Sequence, residues 1–210
     1  MKRFTGVRIL TQATSESDVA VFIGKEICEE AAPYLSSGSC LMFSDEEDYL
    51  LSMALGMAMC TDKRVFVFCE EHYFIRNLSE VLQIGISKCR NLFIIFFCSG
   101  EYTAAPGLPT VFDSANNQHG IFYNMGMLVH DYKNQFKFSR NPIKFVRETW
   151  DRVKGPIAII MKTERGSKQM PEIDFSDRNS IEATREFILD ENIKAHDFVP
   201  PIDLSDFTQG

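Results

Sequence analysis

No stretch of this chain is apolar for long enough to cross a bilayer. The longest such run, "NLFIIFFC" at residues 91–98, falls far short of the roughly 20 residues a spanning helix needs. The opening segment, "MKRFTGVRILTQATSESD", lacks the apolar centre of a signal peptide. A soluble, cytoplasmic protein is expected, with no membrane partner. Basic residues are in deficit. Lys and Arg number 22 against 29 Asp and Glu, a net charge of −7, which argues against the basic face that nucleic acid requires. The six cysteines (Cys28, Cys40, Cys60, Cys69, Cys89, Cys98) form no CxxC pair and no Cys/His finger spacing. Buried free thiols in a reducing compartment are expected instead. There is no Walker-type loop, no GxGxxG, no HExxH and no GxSxG elbow. His119, His130 and His196 share no ligand spacing, and no internal repeat or low-complexity run occurs.

What is present is apolar and aromatic: 45% hydrophobic residues and 18 Phe, enough for one large core. "DVAVFIG" (18–24), "SCLMF" (39–43), "RVFVFC" (64–69), "NLFIIFFC" (91–98) and "GPIAIIMK" (155–162) read as strands. Between them, "KEICEEAAPYL" (25–35), "SDEEDYLLSMALGMAMC" (44–60), "IRNLSEVLQIGISKC" (75–89) and "PIKFVRETWDRVK" (142–154) read as helices. The second opens with Ser44 and Glu47 in capping-box spacing, and the last has Pro142 at its start. "SGEYTAAPGLPT" (99–110) reads as a loop. Continuous apolar strands alternating with helices predict a doubly wound, mainly parallel α/β sheet covered on both faces. That domain spans residues 1–162. Residues 163–210 form an acidic, Pro-punctuated extension with one short helix near 180–190, capped by Asn179 or Ser180. Residues 49–60 form a helix so apolar that burial on all sides is expected, with a second subunit among its neighbours.

Loops that follow parallel strands gather at the carboxyl edge of the sheet, where ligands bind. Two of them are acidic: "SDEEDY" (44–49) and "CEEHYF" (69–74). The acids also complement the helix starts beside them. Converging carboxylates suit a divalent cation with oxygen ligands and would repel a bare polyphosphate. An unrelated doubly wound domain, binding a cation-bearing or metal-bound small molecule at this edge, is one reading.

The order of elements from about Asp18 to Thr163 resembles the diphosphate-binding module of thiamine-diphosphate-dependent enzymes. The closest look is to the small subunits of phosphonopyruvate and sulfopyruvate decarboxylases. "MALGMAM" (53–59) matches that family's small-residue helix, and "DKRVFVF" (62–68) its following strand. "NLSEVLQIGISKCRNLFIIFF" (77–97) matches the next helix and strand, and "PGLPT" (106–110) stands where "GGQPT" would. The closing helix and strand match "NPIKFVRETWDRVKGPIAIIMKT". The family's "GSMG" falls on Asp45–Asp48, its "GDG" on Glu70, Glu71 and His72, and its "NN" on Cys98 and Ser99.

The resemblance implies thiamine diphosphate and Mg²⁺ as cofactors. It places Glu71, Ser99 and the Glu101 carbonyl on the metal, and Glu47, Glu70, His72 and Gly100 against the cofactor. Glu for Asp adds a methylene, Ser for Asn shortens the reach, and losing both glycines puts side chains where backbone meets phosphate. Family modules work in pairs, and the activating glutamate lies on a pyrimidine-binding module that this chain does not show. The implied function is a diphosphate-binding-type subunit of a two-subunit 2-oxo acid decarboxylase or carboligase, joined to a pyrimidine-binding-type partner in a homo- or hetero-oligomer. The alternative is a non-catalytic relative that keeps the fold and the assembly surface.

Overall fold

The computed structural model describes residues 1–35, 39–42, 49–102, 105–110, 118–132 and 141–164. Helix α1 (Arg3–Ala13) leads into β1 (Val19–Ile23), α2 (Lys25–Ala31) and β2 (Ser39–Met42). Then come α3 (Leu50–Met59), β3 (Val65–Glu70), α4 (Glu71–Arg76), α5 (Leu78–Ser87) and β4 (Leu92–Cys98). A hairpin of β5 (Glu101–Tyr102) and β6 (Ala105–Pro109) follows, then α6 (Gln118–Asn124), β7 (Leu128–Asp131), α7 (Pro142–Trp150) and β8 (Ile157–Lys162). Six strands form one parallel sheet in the order β2-β1-β3-β4-β8-β7.

The central strands β1, β3 and β4 are buried at every position, because helices cover both faces. On one face Val67, Ile94, Ala158 and their neighbours pack against α3, α4, α5 and α6. On the other, aromatics dominate. Phe22 stacks on Phe68 at 4.6 Å, and Phe66 meets Phe93 at 4.8 Å and Trp150 of α7 at 4.3 Å. Helices α1, α2 and α7 cover them. Each such ring, fully buried, contributes about 1.5–3 kcal/mol.

The sheet is the expected one, and several details differ from the sequence expectation. Helix α3 begins at Leu50, after Tyr49 at φ 70°, so the Ser44/Glu47 capping box does not start it. Instead Glu80 of α5 accepts from the Ser52 amide at 2.8 Å, serving one of the donors that a helix start leaves open. Within the single chain the same helix leaves Met53 and Met59 exposed, on the helix where the sequence expects a second subunit. The helix read over 75–89 is two, broken at Asn77, and α4 starts as early as Glu71. The segment read as a loop at 99–110 carries the β5–β6 hairpin. Helix α1, α6 and β7 were not read from the sequence at all. Cys28, Cys69 and Cys98 are buried, whereas Cys60 is exposed at the end of α3. The expected helix near 180–190, and all of the extension beyond Glu164, lie outside the described residues. No described helix is long and apolar enough to cross a membrane.

Candidate functional site

Strands β1 and β3 are neighbours, yet the helices leaving them lie on opposite faces. Ile27 and Cys28 of α2 join the aromatic face, and Tyr73 and Phe74 of α4 join the other. Such a switch point opens a crevice at the carboxyl ends of the two strands. Gly24 turns the chain out of β1 at φ 97°, a conformation that glycine tolerates and L side chains resist. A Cβ there would also stand 3.0 Å from the Tyr73 hydroxyl.

Side chains alternate along a strand. Phe66 and Phe68 point to the aromatic face, and Val65, Val67 and Cys69 to the other. Glu70 continues the first set. Glu71, one residue on, begins α4 across the sheet. The two adjacent carboxylates thereby enter different networks.

Glu70 meets Arg3 of α1. The Arg3 guanidinium donates through Nη1 to Glu70, through Nη2 to Glu26, and to both carboxylate oxygens of Glu30 at 3.1 Å. His72 Nδ1 lies 3.1 Å from the other Glu70 oxygen, and its ring packs on Tyr73 at 4.4 Å. Arg3 is only 7% exposed. Burial works against its charge, but the fields of Glu70 and Glu30 and the hydrogen bonds of Glu30 and Glu26 hold the proton more firmly than water does. Burial pushes the Glu30 carboxyl up, and Arg3 draws it part of the way back. The Cys69 thiol, on the other face, is pushed well up, by burial first and by Glu70 second. Cys69 is also fully buried, away from any reactant in solvent.

Glu71 is 2% exposed. Its Oε1 accepts from the Ser99 amide at 3.1 Å and the Gly100 amide at 2.8 Å, and its Oε2 accepts from the Thr110 hydroxyl at 2.8 Å. The Ser99 hydroxyl stands 3.3 Å from Oε1 and 3.1 Å from the Glu101 carbonyl, and its one proton serves either. Burial pushes the Glu71 carboxyl up, and these donors oppose the shift. A carboxylate has about four lone-pair positions, and four donors face this one. A divalent cation needs converging oxygen acceptors. The surroundings of Glu71 are donors, which fit an anion and not a cation.

The structure therefore brings Glu71, Ser99, Gly100 and Glu101 together as a hydrogen-bonded knot. It puts Glu70 and His72 in the Arg3 network. Glu47 lies outside the described residues. Among the described residues, no group of three or more His, Cys, Asp or Glu is placed to hold a metal. Sequence reasoning missed Arg3, Glu26, Glu30 and Thr110. Glu26 and Glu30 stand four apart on a helix and so share a face, and Thr110 closes the "PGLPT" segment; those were the signals available.

No family model and no curated protein sequence matches the chain. Solved structures do. A Mycobacterium smegmatis protein assigned to the thiamin diphosphate-dependent enzymes superposes over 79% of this chain, with a TM-score of 0.60 at 16% identity. The benzoylformate decarboxylase of Polynucleobacter necessarius superposes over 81%, with a TM-score of 0.63 at 12% identity. The matched region is 32% and 34% of those two chains, so this chain spans about a third of their length. The α/β fold is thus the one found in thiamin diphosphate-dependent enzymes.

Proposed function

We propose that the chain is a non-catalytic pairing subunit built on the thiamine-diphosphate-binding fold. The single observation behind this is Glu71. The residue aligned with the family's metal-binding aspartate already accepts from the Ser99 and Gly100 amides and the Thr110 hydroxyl. Those donors compete with Mg²⁺ for the same carboxylate, which favours a crevice without Mg²⁺–thiamine diphosphate. The catalytic-subunit reading rests on the fold likeness, which carries no site residue with it.

The pairing role is supported by α3 and α5. Helix α3 has no charged residue, and it exposes Met53 and Met59. Leu78, Leu82 and Ile86 of α5 are exposed beside it. Exposed apolar side chains on two helices that pack together point to an interaction face. The second chain is of the pyrimidine-binding type that the resemblance implies, and the chain alone self-associates through the same face.

Isothermal titration and thermal unfolding with Mg²⁺ and thiamine diphosphate test the cofactor claim. A ligand at 100 times its Kd stabilises a protein by about 2.7 kcal/mol, a shift that thermal unfolding resolves readily. No heat and an unchanged Tm, with and without a pyrimidine-binding-type partner, are expected. A saturable heat with a raised Tm would sink the proposal.

A further inference from the structure

We propose that Arg3 is a tethered occupant of the carboxyl-edge crevice: α1 carries a guanidinium to the ends of β1 and β3, and acts there as a strap that closes the edge. Three carboxylates from two elements hold it. Glu26 and Glu30 come from α2, which leaves β1, and Glu70 is the last residue of β3. His72 of α4 faces the group through Glu70. No other charge of α1 serves this purpose, since the rest of the helix docks through Val7, Leu10 and Ala13 on the aromatic face. A second tie holds the strap in place: the Glu164 amide, just past β8, donates to the Met1 carbonyl at 2.7 Å. The bidentate fork on Glu30 and the further bonds to Glu70 and Glu26 use the planar geometry that distinguishes Arg from Lys. The three carboxylates thus match a guanidinium, and the chain supplies one from its own helix. This goes beyond the pairing role, and it stands or falls separately from cofactor binding.

The experiment removes the tether and offers the group in solution. Arg3→Met leaves Glu30 and Glu70 buried without their cation, so its Tm is expected to fall by about 10 °C. Guanidinium chloride at about 10 mM, far below denaturing concentrations, is expected to restore at least half of that loss. Sodium chloride at equal ionic strength is expected to restore none, and the unaltered protein is expected to respond to neither. An unchanged Tm in Arg3→Met, or equal responses to the two salts, overturns the proposal. If Arg3→Met does not fold, the triple variant Arg3→Met, Glu30→Gln, Glu70→Gln decides, because it removes the unmatched charges together. Its folding without guanidinium supports the strap, and its failure to fold refutes it. None of these outcomes bears on the Mg²⁺ and thiamine diphosphate titration.

Discussion

Replacing Glu71 tests whether a carboxylate, and not a cation, ties the edge of the sheet together. In Glu71→Ala the Gly100 amide and the Thr110 hydroxyl lose the acceptor they face. Each buried donor left unmatched costs about 1–3 kcal/mol. The Ser99 amide is only part-buried and regains water at little cost. The expected loss is therefore about 2–6 kcal/mol, or a fall in Tm of roughly 5–20 °C for a chain of this size. Glu71→Gln keeps an accepting oxygen for the two amides, and the Thr110 hydroxyl can turn to accept from the new amide. It gives up the stronger charged bonds but also removes a buried charge that the fold disfavours, so its expected cost is at most about 1 kcal/mol. Urea unfolding followed by circular dichroism, run in excess EDTA and again in Mg²⁺, measures all three proteins. If Ala and Gln cost the same within about 0.5 kcal/mol, the donors do not depend on residue 71. If Mg²⁺ stabilises the native chain and not Glu71→Gln, residue 71 is a metal ligand and the reasoning is wrong.

Other consequences can be checked alongside. Size-exclusion chromatography with light scattering is expected to give a mass above the 24.0 kDa of one chain. Met53→Glu with Leu82→Glu should reduce it to that of the monomer while the circular dichroism spectrum stays unchanged; a mass that does not move removes the α3–α5 face from consideration. Gly85→Ala is expected to be strongly destabilising, because the new Cβ would lie 1.7 Å from the Met125 carbonyl oxygen. Gly56→Ala, with nothing within 4 Å, should be neutral or stabilise the unpaired chain by up to about 1 kcal/mol, and thermal melts of the two variants side by side settle the contrast. The Glu71 pKa is raised by burial from 4.5, so the folded state holds that proton more tightly than the unfolded chain. Its stabilising contribution is present at low pH and is lost as pH rises through the raised value. The stability of the native chain relative to Glu71→Gln should therefore decline from pH 4 upward; a rising difference contradicts the assignment.

The parallel strands were legible because burial on both faces leaves an unbroken apolar run, as in Val65–Phe68 and Leu92–Phe97. Helix α1 was not: Val7 and Leu10 give it a single short apolar stripe amid polar residues, and its packing in the aromatic cluster with α2 and α7 makes it a stable element. The β5–β6 hairpin hid behind its glycine and prolines. The site was half legible. Carboxylates at the end of β3 were visible, and so was the neighbourhood of Ser99 and Gly100. Which face each carboxylate takes depends on where the strand ends, and one residue of error exchanges them. The partners of Glu71 lie 28, 29 and 39 positions away and Arg3 lies 67 from Glu70, separations that local patterning does not reach.

The parting of Glu70 and Glu71 also bears on how freely this sequence can change. Glycine at 70 would strip Arg3 of one of its carboxylates. Aspartate at 71, a methylene shorter, would not span from the Ser99 and Gly100 amides to the Thr110 hydroxyl without a shift of backbone. Steps toward Gly-Asp-Gly at residues 70–72 damage two networks, Glu70 and His72 belonging to one and Glu71 to the other, before any new ligand compensates. A mutational path from this crevice to a diphosphate-binding one therefore runs through destabilised intermediates, and point substitution alone does not carry the chain across.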